Sequence, residues 1–246
     1  MTAQARRRTA MFAAAAAALC SVSAQAQPQA CPAVLSDARR LVLVTAKGFN
    51  DTQAEMRLYE RPSRAAPWRA FGPAEPALIG KGGMAWSYFF RSHARPGEPV
   101  KVDGDKRAPA GIYPIGRSFG TVPSNRPGHL QVTEDTVCVD EPSSPHYNTI
   151  ISRRLVGAKV SAENMSRALP MYRRGLVIDY PTDGKARAGS CIFIHVWRSP
   201  TVGTAGCVAV PEPRVEALQD FAAGGAALAI LPRAALGRLA GCLPKL

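Results

Sequence analysis

Acid is in short supply in this chain. Its 246 residues carry 18 Asp and Glu against 31 Lys and Arg, for a formal charge of +13 and a pI near 10.0. The hydrophobic share is 46% and the charged share only 20%, which excludes a disordered polyelectrolyte and fits a globular fold. The excess of base points to an anionic partner: nucleic acid, a membrane surface or an acidic polymer. Long hydrophobic runs are missing too. The apolar stretch Thr9 to Cys20 has 12 residues, short of the roughly 20 needed to span a bilayer. Nothing later reads as a membrane helix, so no stable membrane anchor is expected. Neither a Cys-x2-Cys nor a His-x3-His spacing occurs, which argues against a zinc site. Gly80-Lys81-Gly82-Gly83 reads as a hairpin turn rather than a phosphate loop, because no Ser or Thr follows the lysine. No metal or other cofactor is expected. No internal repeat or low-complexity tract stands out.

What is present begins with a leader. Arg6, Arg7 and Arg8 precede the apolar run, and Ala24-Gln25-Ala26 supplies a small-x-small cleavage site. This pattern predicts a secretory signal peptide over residues 1–26. Lipid attachment at Cys20 is the alternative, and Leu19 before it argues against that. Cleavage removes three Arg, one Cys and no acid, leaving 220 residues, a charge of +10 and five cysteines. Export to the periplasm or cell envelope sets nucleic acid aside. An odd number of cysteines in an oxidising compartment implies one free thiol.

The rest reads as a mainly β single domain with two or more short helices, its strands arranged as a sandwich or mixed sheets. Residues 27–39 form a lead-in, 40–232 the domain and 233–246 a tail. Strands are expected at 41–45, 55–59, 68–71, 78–79, 84–87, 110–115, 130–133, 136–139, 149–151, 176–179, 191–197 and 227–231. The Pro- and Gly-rich stretch 93–129 is otherwise expected to be loops. Helices are expected at Ser161 to Leu169, ended by Pro170, and at Pro211 to Ala223, followed by Gly224-Gly225.

Residues 190–208 carry the chemistry. A strand alternates faces, so Ile192, Ile194 and Val196 share a core face, while Cys191, Phe193, His195 and Trp197 share the other. A loop with Pro200 and Gly203 then leads to Cys207, and Gly206 allows a tight turn. Such a segment can fold His195 back onto Cys207. An imidazole beside a thiol is what cysteine nucleophilic catalysis needs, and the backbone N–H groups of Gly206 and Cys207 are candidates for an oxyanion hole. From spacing alone, a disulfide through Cys207 and an ordinary half-buried histidine explain the same residues equally well.

His195 followed by Thr204-Ala205-Gly206-Cys207-Val208 resembles the catalytic signature of the L,D-transpeptidase (YkuD-type) family, where a His precedes a Ser/Thr-His-Gly-Cys element. Asp105-Lys106-Arg107-Ala108-Pro109-Ala110-Gly111-Ile112-Tyr113 resembles that family's upstream Asp-…-Thr-Pro-Ala-Gly-x-Tyr element. The resemblance runs over roughly Arg40 to Leu231. It is nearest to a subgroup reading Cys-Ile-Phe-Ile-His-x-Trp-Arg before Thr-Ala-Gly-Cys. Four features depart from the wider family: Ala205 replaces the second His, Ala209 a frequent Arg or Asn, and Ala108 a Thr, and the loop between His195 and Cys207 is short. The resemblance implies acyl transfer on peptidoglycan stem peptides, with Cys207 as nucleophile and His195 as proton donor and acceptor. It implies an anionic cell wall as surroundings, which suits a basic surface. Hydrolysis, as an L,D-carboxypeptidase or wall hydrolase, is the alternative; a non-catalytic wall-binding module is a third reading.

Trp197, Arg198 and Thr204 are candidate substrate contacts, Arg198 suiting a stem-peptide carboxylate. Asp179 is a candidate to orient His195, with a structural role the alternative. His93, His129 and His146 fall in loops and are expected to be exposed, without a role. With Cys207 free, Cys31, Cys138, Cys191 and Cys242 allow three pairings. The preferred one is Cys31–Cys242, tying the termini, with Cys138–Cys191, tying two strands.

Overall fold

The computed structural model describes residues 31–245. The expected signal peptide, Cys20 included, lies outside the described residues. Fourteen strands and three α-helices follow in order: α1 (Ala33–Asp37), β1 (Arg40–Ala46), β2 (Gln53–Glu60), β3 (Arg69–Ala70), β4 (Glu75–Leu78), β5 (Met84–Trp86), β6 (Ala108–Gly120), β7 (Leu130–Gln131), β8 (Thr136–Val139), β9 (Ile150–Ser152), α2 (Arg153–Val156), β10 (Ala162–Asn164), β11 (Gly175–Ile178), β12 (Phe193–Val196), β13 (Val208–Val210), α3 (Glu212–Phe221) and β14 (Ala226–Pro232). The fold is mainly β and forms one domain, as its sequence indicates.

Eight strands form a closed circuit in the order β1, β14, β6, β11, β12, β13, β4, β2 and back to β1. A sandwich of mixed sheets thus takes the form of a mixed, barrel-like ring, with β1–β14 and β12–β13 parallel and the other pairs antiparallel. β1 is buried on both faces from Leu41 to Ala46, and β14 along its whole length. Such strands read as continuous apolar runs rather than alternating ones. A separate small sheet, β10-β8-β9, contributes to the cleft described below.

Two expectations change. Residues 93–129 are not mainly loops, because β6 runs for 13 residues through Pro109, Gly111, Pro114 and Gly116. Its glycines serve packing rather than turning. A Cβ on Gly111 would lie 2.3 Å from the Tyr113 hydroxyl, and one on Gly116 2.5 Å from the Asp179 carboxylate. Residues 161–169 are not a helix. Ala162–Asn164 pairs with β8, setting Glu163 opposite Cys138. The Asn164 Oδ1 then accepts from the Ser166 hydroxyl (2.9 Å) and the Arg167 N–H (3.2 Å). A side chain that bonds the local backbone in this way competes with helix formation.

The fold also extends beyond 40–232. Leu35 of α1, together with Leu239 and Cys242 near the C-terminus, is buried in the main core, each worth on the order of 1–3 kcal/mol of burial. The disulfides are Cys31–Cys242 and Cys138–Cys191, and Cys207 is free. Helix α3 stands where expected. It buries Val215, Leu218 and Phe221 and packs against β11 and β12. It thereby backs the strand that carries His195.

Candidate active site

Strand β12 divides its side chains as a period of two requires. Ile192, Ile194 and Val196 join the main core. Cys191 and Phe193 join a second cluster with Phe119, Met165, Tyr172 and Cys207. The β12–β13 ladder is parallel and pairs Ile194 with Val208 and His195 with Ala209. Extending that register back by one residue sets Cys207 beside Phe193. A strand, a loop and a return strand thus bring two residues twelve apart in sequence onto neighbouring strands.

Thr204 fastens the turn before Cys207. Its N–H donates to the Ile79 carbonyl (2.9 Å), and its own carbonyl accepts from the Lys81 N–H (2.8 Å). Its hydroxyl donates to the Cys207 carbonyl (2.7 Å) and accepts the Gly206 N–H (3.0 Å). The Gly206 N–H is therefore engaged within the turn and is not a free oxyanion donor in this state.

His195 is only 4% exposed. Its Nδ1 lies 2.8 Å from the Val196 carbonyl oxygen. A carbonyl can only accept, so Nδ1 carries the proton and Nε2 the lone pair. Burial pulls the pKa of His195 down to about 4, partly offset by that hydrogen bond. The Cys207 thiol is buried and donates to the Cys191 carbonyl at 3.4 Å. Burial pushes its pKa up to about 12, and the Glu163 carboxylate adds to the rise. A backbone hydrogen bond from Phe193 and the Lys101 charge act in the opposite direction. At neutral pH the thiol and the imidazole therefore both rest neutral, with the Nε2 lone pair of His195 unprotonated; the thiol's hydrogen bond goes to the Cys191 carbonyl, and none joins it to His195.

Cys207 and His195 open on one cleft of about 440 Å³. Thr204, Ala205 and Gly206 line it, as do Lys101, Asp103, Lys106, Asp140, Glu163, Tyr172 and Arg187. A neighbouring hollow of about 190 Å³ shares His195, Thr204 and Ala205 and adds Arg198. The site thus gathers Cys207, His195, Gly206, Thr204 and Arg198. Trp197 lines neither hollow, and its backbone N–H donates to the Val210 carbonyl. Asp179 packs against Gly116 and lines a different depression, so the Val196 carbonyl, not Asp179, orients His195. His93, His129 and His146 are partly buried rather than exposed. His93 stacks on Trp86 and Phe90, and His129 Nδ1 bonds the Ser118 hydroxyl.

The sequence reading did not single out Tyr172, Glu163 or Lys101. The Tyr172 ring meets His195 edge-to-face at 5.5 Å and Phe193 at 5.6 Å, and its hydroxyl donates to Glu163 Oε1 at 2.9 Å. Glu163 fell inside the expected helix, which hid its position. Lys101 sits in a loop and is buried by its ion pair with Asp105, both features set by tertiary packing. Among the described residues, no group of His, Cys, Asp and Glu is arranged to hold a metal ion, and no helix is long and apolar enough to cross a membrane.

Comparison with known proteins gives no match: no family model fits the chain, and no curated protein or solved structure is significantly similar to it.

Proposed function

We propose that this protein is an exported cysteine acyltransferase acting on peptidoglycan stem peptides, with Cys207 as nucleophile and His195 as general base and acid. The observation that carries this reading is the placement of the one free cysteine among the described residues on the same cleft as a histidine whose Nδ1 is held by a backbone carbonyl. The two disulfides suit an oxidising compartment, and a periplasmic or cell-envelope location follows from this reading.

The chemistry runs from the neutral pair. As Cys207 Sγ attacks the carbonyl carbon of the stem's diamino acid, its proton passes to His195 Nε2. The tetrahedral oxyanion forms in a buried site where fixed donors are strongest, the Cys207 N–H being the candidate. Collapse breaks the C–N bond, and imidazolium protonates the departing terminal D-amino acid. An amine from a second stem then attacks the thioester carbonyl and gives a proton to His195. The thiolate leaves and takes that proton back. Burial keeps both groups neutral beforehand, so the proton transfer accompanies attack rather than preceding it.

Water as acceptor is the second reading. Ala205, which lines the cleft, and Ala209, which lines the neighbouring hollow, favour it because they replace a family His and a basic or amide residue with apolar side chains. Mature protein incubated with a carbapenem should gain the intact mass of one adduct at Cys207. Cys207→Ser should gain none, and His195→Ala should react at least 10²-fold more slowly. Tetrapeptide stems then separate the acceptors by mass spectrometry: dimers or exchanged D-amino acids mark transfer, and bare tripeptides mark hydrolysis. Wild-type protein that forms no adduct and turns over no stem refutes the proposal.

A further inference from the structure

Three carboxylates line the cleft with no cation at ion-pair distance among the described residues: Asp103, Asp140 and Glu163. Both Asp103 oxygens accept the Tyr147 hydroxyl (2.9 and 3.0 Å). Asp140 accepts the Ser161 hydroxyl (2.6 Å). Lys101 donates to Asp105 and to the Val102 carbonyl. Asp140 is exposed and so solvated by water, whereas Glu163 is half-buried; its Oε1 accepts the Tyr172 hydroxyl and its Oε2 has no hydrogen-bond partner among the described residues. A partly buried carboxylate in that position is costly unless a cation reaches it.

We propose that Glu163 binds the free ammonium group at the side-chain end of the donor stem's diamino acid. This rests on the reading of the cleft as a stem-peptide site. Three observations support it. Glu163 lines the same cleft as Cys207 and His195, so a substrate seated on the sulfur passes within its reach. Its backbone is fixed by pairing with β8 opposite Cys138, and its Oε1 by Tyr172, leaving Oε2 as its unengaged acceptor. A primary ammonium is a compact triple donor, which a single free carboxylate oxygen can accept from. The position also has a chemical consequence. Burial, with Asp140 adding to it, raises the Glu163 pKa, and the Glu163 charge in turn opposes thiolate formation at Cys207. A bound ammonium neutralises that charge, so the substrate bearing it removes a barrier to its own attack.

The test compares two donor stem tetrapeptides, one with the side-chain amine free and one with it acetylated, each supplied with the same excess of a free D-amino acid as acceptor and read by release of the donor's terminal D-amino acid, so that acetylation alters only the donor. The quantity read is the ratio of kcat/KM for free over acetylated within each protein, so differences in active fraction cancel. Wild type should favour the free amine at least tenfold. Glu163→Gln, which keeps an acceptor for Tyr172 and removes the charge, should bring the ratio to about one, and Glu163→Asp should retain part of it. Where a variant turns over neither stem, protection of Cys207 from iodoacetamide by the corresponding tripeptides gives the same ratio as a ligand-concentration shift. A ratio unchanged in Glu163→Gln, or a wild type indifferent to acetylation, overturns the assignment. Wild type that takes no carbapenem adduct and turns over neither stem refutes the underlying reading instead, so the two failures are told apart.

Discussion

The two disulfides join chain segments of different kinds. Cys31–Cys242 spans 211 residues and fastens the segment before α1 to the C-terminal segment, where the Trp68 indole N–H donates to the Cys242 carbonyl. Neither cysteine lines the cleft. Cys138–Cys191 spans 53 residues and joins the central strand of the small sheet to the residue from which β12 departs. Cys191 has a left-handed backbone (φ +56°), and its N–H donates to Asn148 Oδ1 (2.8 Å). Its carbonyl accepts the Cys207 thiol. One bond holds the chain ends; the other holds a group that touches the proposed nucleophile.

This difference predicts that stability and activity separate. In the chain-entropy model, loops of these lengths give stabilisations on the order of 4–5 kcal/mol each. Alanine at both Cys31 and Cys242, or at both Cys138 and Cys191, should therefore lower denaturant stability by comparable amounts. Carbapenem acylation of Cys207 should fall about 10²-fold in the second variant, since an ångström of misplacement has that effect. It should stay within about twofold of wild type in the first. Equal acylation rates in the two folded variants would erase the distinction.

Proton linkage separates the regions by a smaller amount. His195 titrates near 4 in the folded protein, against 6.5 for an unburied histidine. Below pH 6.5 the unfolded chain binds a proton that the folded chain refuses until about pH 4. Stability present above pH 6.5 is thus lost as pH falls through that window, by about 3 kcal/mol. Chemical denaturation at pH 7.5 and pH 4.5 should show the loss in wild type and in the Cys31/Cys242 variant alike. His195→Phe should remove that share and leave the smaller losses from His93, His129, Glu98 and Asp220, whose pKa values are also lowered. A slope unchanged in His195→Phe would place the linkage elsewhere.

How far the site was legible follows from where its parts lie in the chain. His195 and Cys207 occur in one segment, and a strand's alternation fixes which face His195 takes, so local rules reach them. The cysteine pairing was legible because few bridges are possible once one thiol is set aside. Glu163 and Tyr172 were not legible, because their positions depend on β10 pairing with β8, a contact between distant segments that overrides the local helix pattern of Ser161 to Leu169. The length of β6 was hidden for a related reason. Gly111 and Gly116 look like turn residues, yet each gives space to a side chain, Tyr113 in one case and Asp179 in the other. Closure of the ring through β1 and β2 joins two strands that the pattern already placed at 41–45 and 55–59, whereas β13, three residues long, gave no periodic signal.

The smallest predicted effect concerns the second support of Cys207. On one side the sulfur meets a carbonyl fixed by the Cys138–Cys191 bond; on the other, the backbone is held by the Thr204 hydroxyl, which bridges the Gly206 N–H and the Cys207 carbonyl. Thr204→Val keeps the shape and removes both hydrogen bonds. Leaving those partners unpaired should cost about 1–3 kcal/mol, read by thermal denaturation, and acylation should slow by about tenfold. The direction of the rate change is informative because the same substitution frees the Gly206 N–H. Slowing means that Thr204 contributes by holding the turn, as the disulfide does from the opposite side. Acceleration would instead mean that the Gly206 N–H is an oxyanion donor which Thr204 restrains, and that the turn keeps its shape without the hydroxyl.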